Sequence, residues 1–537
     1  METNPLQRSK VAWVLAGLMV SLLLAALDST IVGTAMKRIM EDLQGIQYYA
    51  WPFSIYMLCS TAAIPISGAL ADRIGRKPVI VTGILTFLAG SALCGTAQDM
   101  VQLIIYRGLQ GVGGGIIVSS IFTVIADFFE PAKRGKYTGI VTSMYGLASV
   151  IGPLLGGLIT DQLSWRWIFY VNIPLGVIAA AIVLFTLPRF KPEGRRNGVD
   201  FAGVSTLLLA LVPLLLALSW GGRDYPWGSW TIIGMLLFSA LMVAAFILVE
   251  SRVKNPILPL SFFRNRAISV SFVIAFFTNG LMFAGVMFLP YFVQGVIGST
   301  ATVSGAVTIP MMAGLLVASN VTGFLMAKTG HARFWAAGAF ALAALGMFLL
   351  SLMGVNTQYY EVVLFMVVLG MGIGVNMPIA NVCAQNASPR EQLGAVTSSV
   401  QFFRNIGATV GSAVFGTIMT TSLAGGLAKL DLSQVPENVR GLLGNVQVIT
   451  DPSALAQIQA QVPAQYAGFF SSILDQARGA LAGAIHDVFF FCIFAAAAAF
   501  IVSFFLKEAG TKAVKAVRHA PAPVEPAKEA TPDLGNS

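Results

Sequence analysis

Charge is what this chain has least of. Of its 537 residues only 11% are Asp, Glu, Lys or Arg, well under half of the ~25% usual in soluble domains. A water-facing globule has too little polar surface here to cover itself, so a soluble fold is excluded. Histidines number three (His331, His486, His519) and lie scattered, so neither a metal site nor a His-based catalytic constellation is expected. The four cysteines (Cys59, Cys94, Cys383, Cys492) all fall inside apolar runs, where they read as small packing residues rather than disulfide partners or ligands. A G-x-x-x-x-G-K-[ST] phosphate loop is missing from the sequence, which disfavours an ATP-driven pump. The expectation is a non-enzymatic chain without cofactor or metal.

What fills the chain instead is hydrocarbon, 56% of its residues. A window of ~20 residues, the length that crosses a bilayer as helix, finds fourteen candidate spans. Six lie at 12–34, 50–70, 78–97, 101–126, 136–160 and 167–187, two at 200–219 and 230–250, and six at 267–293, 303–326, 334–353, 359–381, 394–420 and 484–506. The first follows Arg8 and Lys10 as a signal peptide would, but it is too long for one and lacks a cleavage site, so it reads as a retained helix. With both termini cytoplasmic, the outer segments keep only Lys37, Arg38, Arg166, Arg223, Lys429, Arg440 and Arg478 of the 33 Lys and Arg, as the positive-inside rule requires. The net charge of +9 then serves attraction to anionic lipid, and no nucleic-acid partner is needed.

The chain is also internally duplicated. Gly68-Ala69-Leu70-Ala71-Asp72-Arg73-Ile74-Gly75-Arg76-Lys77 returns in degraded form as Gly323 to Ala332, and Gly111, Gly135, Gly152 and Gly157 fall opposite Gly370, Gly394, Gly411 and Gly416 at one constant spacing. Two parallel six-helix repeats are expected of a transporter whose halves rock about a midplane site. The organisation is therefore an all-α integral membrane protein with an N-terminal bundle over 1–190, two inserted helices over 191–262, and a C-terminal bundle over 263–420 and 484–510. An extracytoplasmic loop with an amphipathic helix occupies 421–483, where Phe469, Phe470, Ile473, Leu474, Ala477 and Leu481 recur at helical spacing, so that 464–483 reads as an amphipathic continuation of the last span that either caps the outer vestibule or forms a packed surface hairpin. The Ala/Pro/Glu/Lys-rich residues 511–537 read as a disordered cytoplasmic tail.

The ten-residue loop resembles the signature loop of the major facilitator superfamily. Its two glycines, Gly68 and Gly75, allow close helix approach and a tight turn. Between and after them Asp72, Arg73, Arg76 and Lys77 form a charged latch, and Asp127 at the inner end of the fourth span could reach Arg73 or Arg76. Gly146-Leu147-Ala148-Ser149-Val150-Ile151-Gly152-Pro153-Leu154-Leu155-Gly156-Gly157 resembles the antiporter motif of that superfamily, in which Pro153 bends a helix and the glycines seal it against a neighbour. Together with the inserted pair, these motifs resemble the fourteen-helix drug:proton antiporter family, the EmrB/QacA branch.

Further resemblances single out individual residues. Leu27-Asp28-Ser29-Thr30-Ile31-Val32 resembles the L-D-x-T-I-V stretch of that family. Asp28 either couples protons and substrate, because a carboxylate near hydrocarbon is costly when ionised, or lies hydrated at the outer interface. Arg107 sits in an R-x-x-Q-G-x-G motif and needs a carboxylate, carbonyls or water; its role is a proton relay or a structural clamp. Arg404, in a Q-F-x-R-x-x-G run, should face the cavity, and Glu361 is either a second cation-attracting carboxylate or an interfacial one. Asn279, Asn376 and Gln385 are possible hydrogen-bonding partners whose helix faces the sequence leaves open. Trp165 to Pro174 resembles a W-R-W-I-F-x-I-N-x-P stretch; its aromatics suit a membrane interface, Asn172 and Pro174 suit an abrupt helix start, and it suggests anchoring only.

The resemblance implies a major facilitator fold and proton-coupled export of lipophilic, often cationic, compounds by alternating access, driven by the proton gradient. A dedicated lipid or metabolite exporter could use the same scaffold, whereas a proton-nutrient symporter would not call for the Gly152-Pro153 motif. The expected setting is the inner (plasma) membrane, multi-pass, among membrane lipids. A monomer is expected, with a periplasmic adaptor if the cell has two membranes.

Overall fold

The computed structural model describes residues 5–43, 51–188, 200–222, 225–253, 256–299, 307–329, 331–428 and 467–507. Within these, fourteen long helices follow one another. The first six are α1 (Pro5–Leu43), α2 (Trp51–Ile74), α3 (Arg76–Thr96), α4 (Met100–Phe128), α5 (Pro131–Gln162) and α6 (Asn172–Thr186). Two follow as α7 (Phe201–Trp220) and α8 (Trp230–Arg252). The last six are α9 (Arg266–Tyr291), α10 (Thr308–Thr329), α11 (Ala332–Ser351), α12 (Tyr359–Asn386), α13 (Leu393–Leu427) and α14 (Ala467–Ser503). Thirteen helical stretches among the described residues are long and apolar enough to cross a membrane. The expected span at 136–160 lies within α5, a helix of 32 residues. In lipid, a helix is the one open-chain element that satisfies every backbone group internally, which is why the apolar runs take this form.

Glycines decide how closely these helices pack, and they do so identically in the two halves. A methyl group at Gly111 would collide with the Tyr56 carbonyl, at Gly113 with the Phe87 backbone and at Gly115 with the Ser60 carbonyl. Thus α4 lies backbone to backbone against both α2 and α3. In the second half Gly370 meets the Met311 carbonyl, Gly372 the Ala343 backbone and Gly374 the Leu315 carbonyl, placing α12 against α10 and α11 in the same way. Small-residue contact of this kind brings membrane helices together where lipid supplies no hydrophobic drive. Gly113→Val should therefore lower the thermal unfolding midpoint in detergent, overpacking costing about 1–3 kcal/mol. Gly338→Ala, which meets open space, should leave it unchanged.

Several boundaries differ from expectation. The last span starts well before 484, because α14 is one continuous helix from Ala467 to Ser503. Ile473, Ala477 and Leu481 are buried along it, so the amphipathic segment continues the span as its helical spacing implied. At its other flank α13 continues to Leu427 rather than ending at 420. Residues 429–466 and those beyond 507, which include most of the expected loop and all of the tail, lie outside the described residues. The inserted α7 and α8 pack on each other, with the Ser239 hydroxyl donating to the Ala210 carbonyl at 2.7 Å. Most of the α8 surface remains exposed, as expected of a helix facing lipid.

Candidate functional site

A buried polar cluster sits inside the first half, built from α1, α3, α4 and α6. Asp28 on α1 and Arg107 on α4 are each 1% exposed, and the Arg107 Nη1 stands 2.6 Å from Asp28 Oδ2. The other carboxylate oxygen, Oδ1, accepts from Gln110 Nε2 at 2.7 Å and from Asn172 Nδ2 at 3.0 Å. Arg107 also donates to Gln110 Oε1 at 2.7 Å, and its guanidinium lies over the Tyr56 ring, 4.3 Å from the centroid. Ser91 on α3 accepts from both amides, at 3.2 and 3.0 Å, and donates to the Phe169 carbonyl at 2.8 Å. A charge removed from water is tolerated when it is paired and its remaining lone pairs are hydrogen-bonded, and Asp28 meets both conditions.

This geometry changes the sequence reading of Asp28 in two ways. The hydrated alternative does not fit, because Asp28 is 1% exposed and packed among α3, α4 and α6. The carboxylate is also already matched by a resident cation, so it presents no open counter-charge in this conformation. Of the partners, Gln110 follows Arg107 by three residues and thus shares its helix face, a spacing visible in the R-x-x-Q motif. Asn172 was expected only to start a helix. Ser91 has no sequence signal at all, since its position depends on how α3 packs.

The signature loop builds a second cluster, one that joins the two halves. Gly75 adopts φ 96° at the start of α3, a left-handed conformation open to glycine without strain. The turn places Asp72 against the first turn of α13, where its two carboxylate oxygens accept from the Gly394 and Ala395 backbone N–H groups at 2.9 and 2.7 Å. A helix N-terminus favours negative charge through its unpaired N–H groups and dipole. Arg76 Nη1 lies 2.5 Å from Asp72 Oδ1, and Arg76 Nε lies 2.5 Å from Asp127 Oδ2, so Arg76 is an arginine that meets Asp127. Gly68 allows the approach: a side chain there would collide with Ser398 of α13. Arg73 and Lys77 stand half-buried beside this contact. At the same end Gly135 of α5 meets Gly323 of α10 backbone to backbone, and Arg134 Nη1 donates to Asn386 Oδ1 at 2.8 Å. The degraded second copy thus supplies a close helix crossing where the first supplies a charged latch.

The antiporter-motif glycines divide between these contacts. Gly146 packs against Leu316 of α10, across the halves, and Gly152 against Thr30 of α1, whose hydroxyl reaches the Ala148 carbonyl at 3.2 Å. Gly156 is buried, whereas a methyl at Gly157 would meet nothing within 4 Å, so Gly157 seals no neighbour. The Pro153 side chain lies outside the described residues.

Arg404 of α13 is 7% exposed and donates to Gln401 Oε1 at 2.9 Å and to the Met377 carbonyl at 3.3 Å. Its own carbonyl accepts from Asn279 at 3.1 Å. Gln385 reaches from α12 to the Phe122 carbonyl of the first half at 3.3 Å. Glu361 is not brought to either cluster. Its carboxylate accepts from the Gln358 backbone at 2.9 Å and completes a capping box at the start of α12, a place at a helix end that fits its interfacial reading. The Trp165–Arg166 stretch anchors as expected. Trp165 Nε1 and Arg166 Nη1 both donate to Asp42 at 2.9 Å, hydrogen bonds that hold the Asp42 carboxyl below the usual carboxylate range.

Comparison with known proteins agrees with this architecture. The chain is 39% identical over 516 residues to the multidrug transporter protein MdtP of Bacillus subtilis (strain 168), covering 93% of this chain and 94% of that one. It is 35% identical over 519 residues to multidrug resistance protein 3 of the same organism, covering 95% and 98%. Its fold is similar to the crystal structure of the human organic anion transporter MFSD10, with a TM-score of 0.59 at 15% identity over 90% of this chain and 99% of that one. Residues 18–412 match the family model of the Major Facilitator Superfamily. With the duplicated helical halves, the latch between them and a family match across most of its length, the chain belongs to the major facilitator superfamily of membrane transporters.

Proposed function

We propose that this chain is a proton-coupled antiporter that exports lipophilic compounds by alternating access, as the fourteen-helix drug:proton antiporters do. The observation that carries the reading is the buried Asp28–Arg107 pair, an ionisable couple inside an apolar bundle. Intramembrane ionisable groups are retained where they serve a pathway or relay. The names of the Bacillus relatives, multidrug transporter and multidrug resistance protein, support the substrate class. The positive-inside bias supports a cytoplasmic placement of both termini and of the Asp72 latch, and the contacts between the halves at that end then support an inner side that is closed in this conformation, in a protein of the plasma membrane.

In this mechanism a proton from the outer side neutralises the Asp28 carboxylate and releases Arg107 from its ion pair. The halves then exchange access, and Asp28 returns its proton to the cytoplasm as Arg107 recaptures it. With Asp28 paired to Arg107, a cationic preference rests on the family resemblance alone. Proteoliposomes carrying an imposed ΔpH and a panel of lipophilic compounds test the proposal: uphill transport that stops when ΔpH is removed is expected, and transport indifferent to protons would refute it.

Voltage offers a sharper check on stoichiometry. One proton moving down 100 mV contributes ~2.3 kcal/mol, but exchange of one proton for one monovalent cation moves no net charge. Collapsing ΔpH while holding the voltage should then halt uphill export of such a cation. Continued accumulation would exclude one-for-one exchange.

A further inference from the structure

Where the two halves meet along α2 and α13, the helices are zipped over part of their length only. Gly68 meets Ser398, Asp72 accepts from the Gly394 N–H at 2.9 Å, and Asn405 donates to the Thr61 hydroxyl at 3.3 Å. These pairs share one antiparallel register, in which Thr61 and Gly68 on α2, like Asn405 and Ser398 on α13, recur at a heptad and so keep one face. One more heptad away from the latch, the same register sets Ser54 opposite Ser412. That pair is not made. Ser412 donates instead to the Thr409 carbonyl of its own helix at 2.8 Å, and the Ser54 hydroxyl stands 3.2 Å from that of Ser219 on α7.

The turn between the inserted α7 and α8 is bound to both helices at that end. Trp220 packs on Trp51 of α2, ring centroids 5.3 Å apart, while Trp227 Nε1 donates to Thr417 Oγ1 of α13 at 2.9 Å. The turn is internally braced. Its Gly222 N–H donates to the Tyr225 carbonyl at 2.8 Å and the Tyr225 N–H to the Trp220 carbonyl at 3.1 Å, φ is 74° at Gly222, and a side chain at Gly221 or Gly222 would collide with the Trp227 ring. We infer that this turn is a spacer that holds the far ends of α2 and α13 apart while the latch end is closed. To exchange access it must give up Ser54 or Thr417, whereupon the two helices complete their seam with Ser54 facing Ser412. Contacts made in one conformation only bias the balance toward it, so the inserted pair sets how readily the halves exchange.

The inference rests on the alternating-access reading, but its test uses neither substrate nor gradient, so a failure of proton coupling leaves it intact. The full chain without its four native cysteines carries spin labels at Ile74→Cys and Glu391→Cys, beside the latch, in phosphatidylcholine nanodiscs. Trp227→Phe and Thr417→Val each remove the hydrogen bond to α13, and each should raise the population with a long latch distance roughly two- to tenfold. Cross-linking reads the other end. Under copper phenanthroline Ser54→Cys/Ser219→Cys should form a disulfide, Ser54→Cys/Ser412→Cys should form one roughly tenfold more slowly, and adding Trp227→Phe should speed the second. Equal cross-linking of the two pairs in the otherwise unmodified protein would overturn the inference. So would unchanged latch distances in both variants, even with a lowered thermal midpoint, which would make the contact ordinary packing. A chain that does not alternate at all would leave Asp72→Asn without effect as well, whereas failure of the spacer alone keeps that response.

Discussion

Asp28→Asn should abolish accumulation of substrate against a gradient while downhill movement persists. Asparagine cannot exchange a proton, so the coupled step is lost. The geometry adds a structural cost, because the variant leaves Arg107 buried beside Gln110 and Asn172 with no counter-ion. Breaking a buried pair by removing one partner typically costs ~3–5 kcal/mol, so a lower thermal midpoint is expected together with the transport defect. Sequence considerations alone pointed the other way, since deleting a charge eases insertion of an isolated span. The double variant Asp28→Asn/Arg107→Gln separates the two effects: it removes both charges, should recover most of the lost stability, and should still fail to drive uphill transport. Unimpaired uphill transport by either variant would move proton coupling away from Asp28.

Asp72→Asn should open the latch between the halves. Asp72 holds two backbone N–H groups at the start of α13 and the Arg76 guanidinium at once. An asparagine oxygen can accept from one N–H, but its amide nitrogen faces the other donor, and the charge that suits the helix terminus is gone. Hydrogen bonds to charged groups contribute ~1.5–3 kcal/mol each, enough to shift a two-state balance roughly ten- to a hundredfold. Spin labels at Ile74→Cys and Glu391→Cys, both exposed and flanking the contact, report its opening in a background lacking the four native cysteines. A single short distance is expected with Asp72 in place, and a longer population with asparagine. Identical distance distributions would remove the latch from the mechanism.

The spans were legible because hydropathy over a bilayer's length is a strong signal, and the duplicated glycines Gly111, Gly135 and Gly152 with Gly370, Gly394 and Gly411 marked close packing before any helix was placed, whereas Gly157 and Gly416 meet nothing within 4 Å. Gly111, Gly113 and Gly115 and their counterparts Gly370, Gly372 and Gly374 all proved to be contact points. The site was only half legible. Arg107 plainly required a partner, but which carboxylate came to it depended on α1 lying beside α4, a tertiary fact with no local signature. Asn172 was hidden for the same reason behind its role at a helix start. Glu361 stood between two readings although one had a local signal: Gln358 three residues earlier forms a capping-box spacing, a readable reason for its placement. The last helix began earlier than the hydropathy window allowed because its first turns alternate buried Ile473, Ala477 and Leu481 with polar residues, diluting the average while preserving the helical period.

The central claim is that proton movement and substrate movement meet at the Asp28–Arg107 pair, and proton flux measures it most directly. Purified protein is reconstituted into liposomes containing a pH-sensitive dye, and a transported lipophilic compound is added with no imposed gradient. The unmodified protein should move protons opposite to the compound as it enters, and the folded Asp28→Asn/Arg107→Gln variant should admit the compound with no proton signal. Proton flux at the unmodified level in that variant, or substrate entry without proton movement in the unmodified protein, would contradict the account.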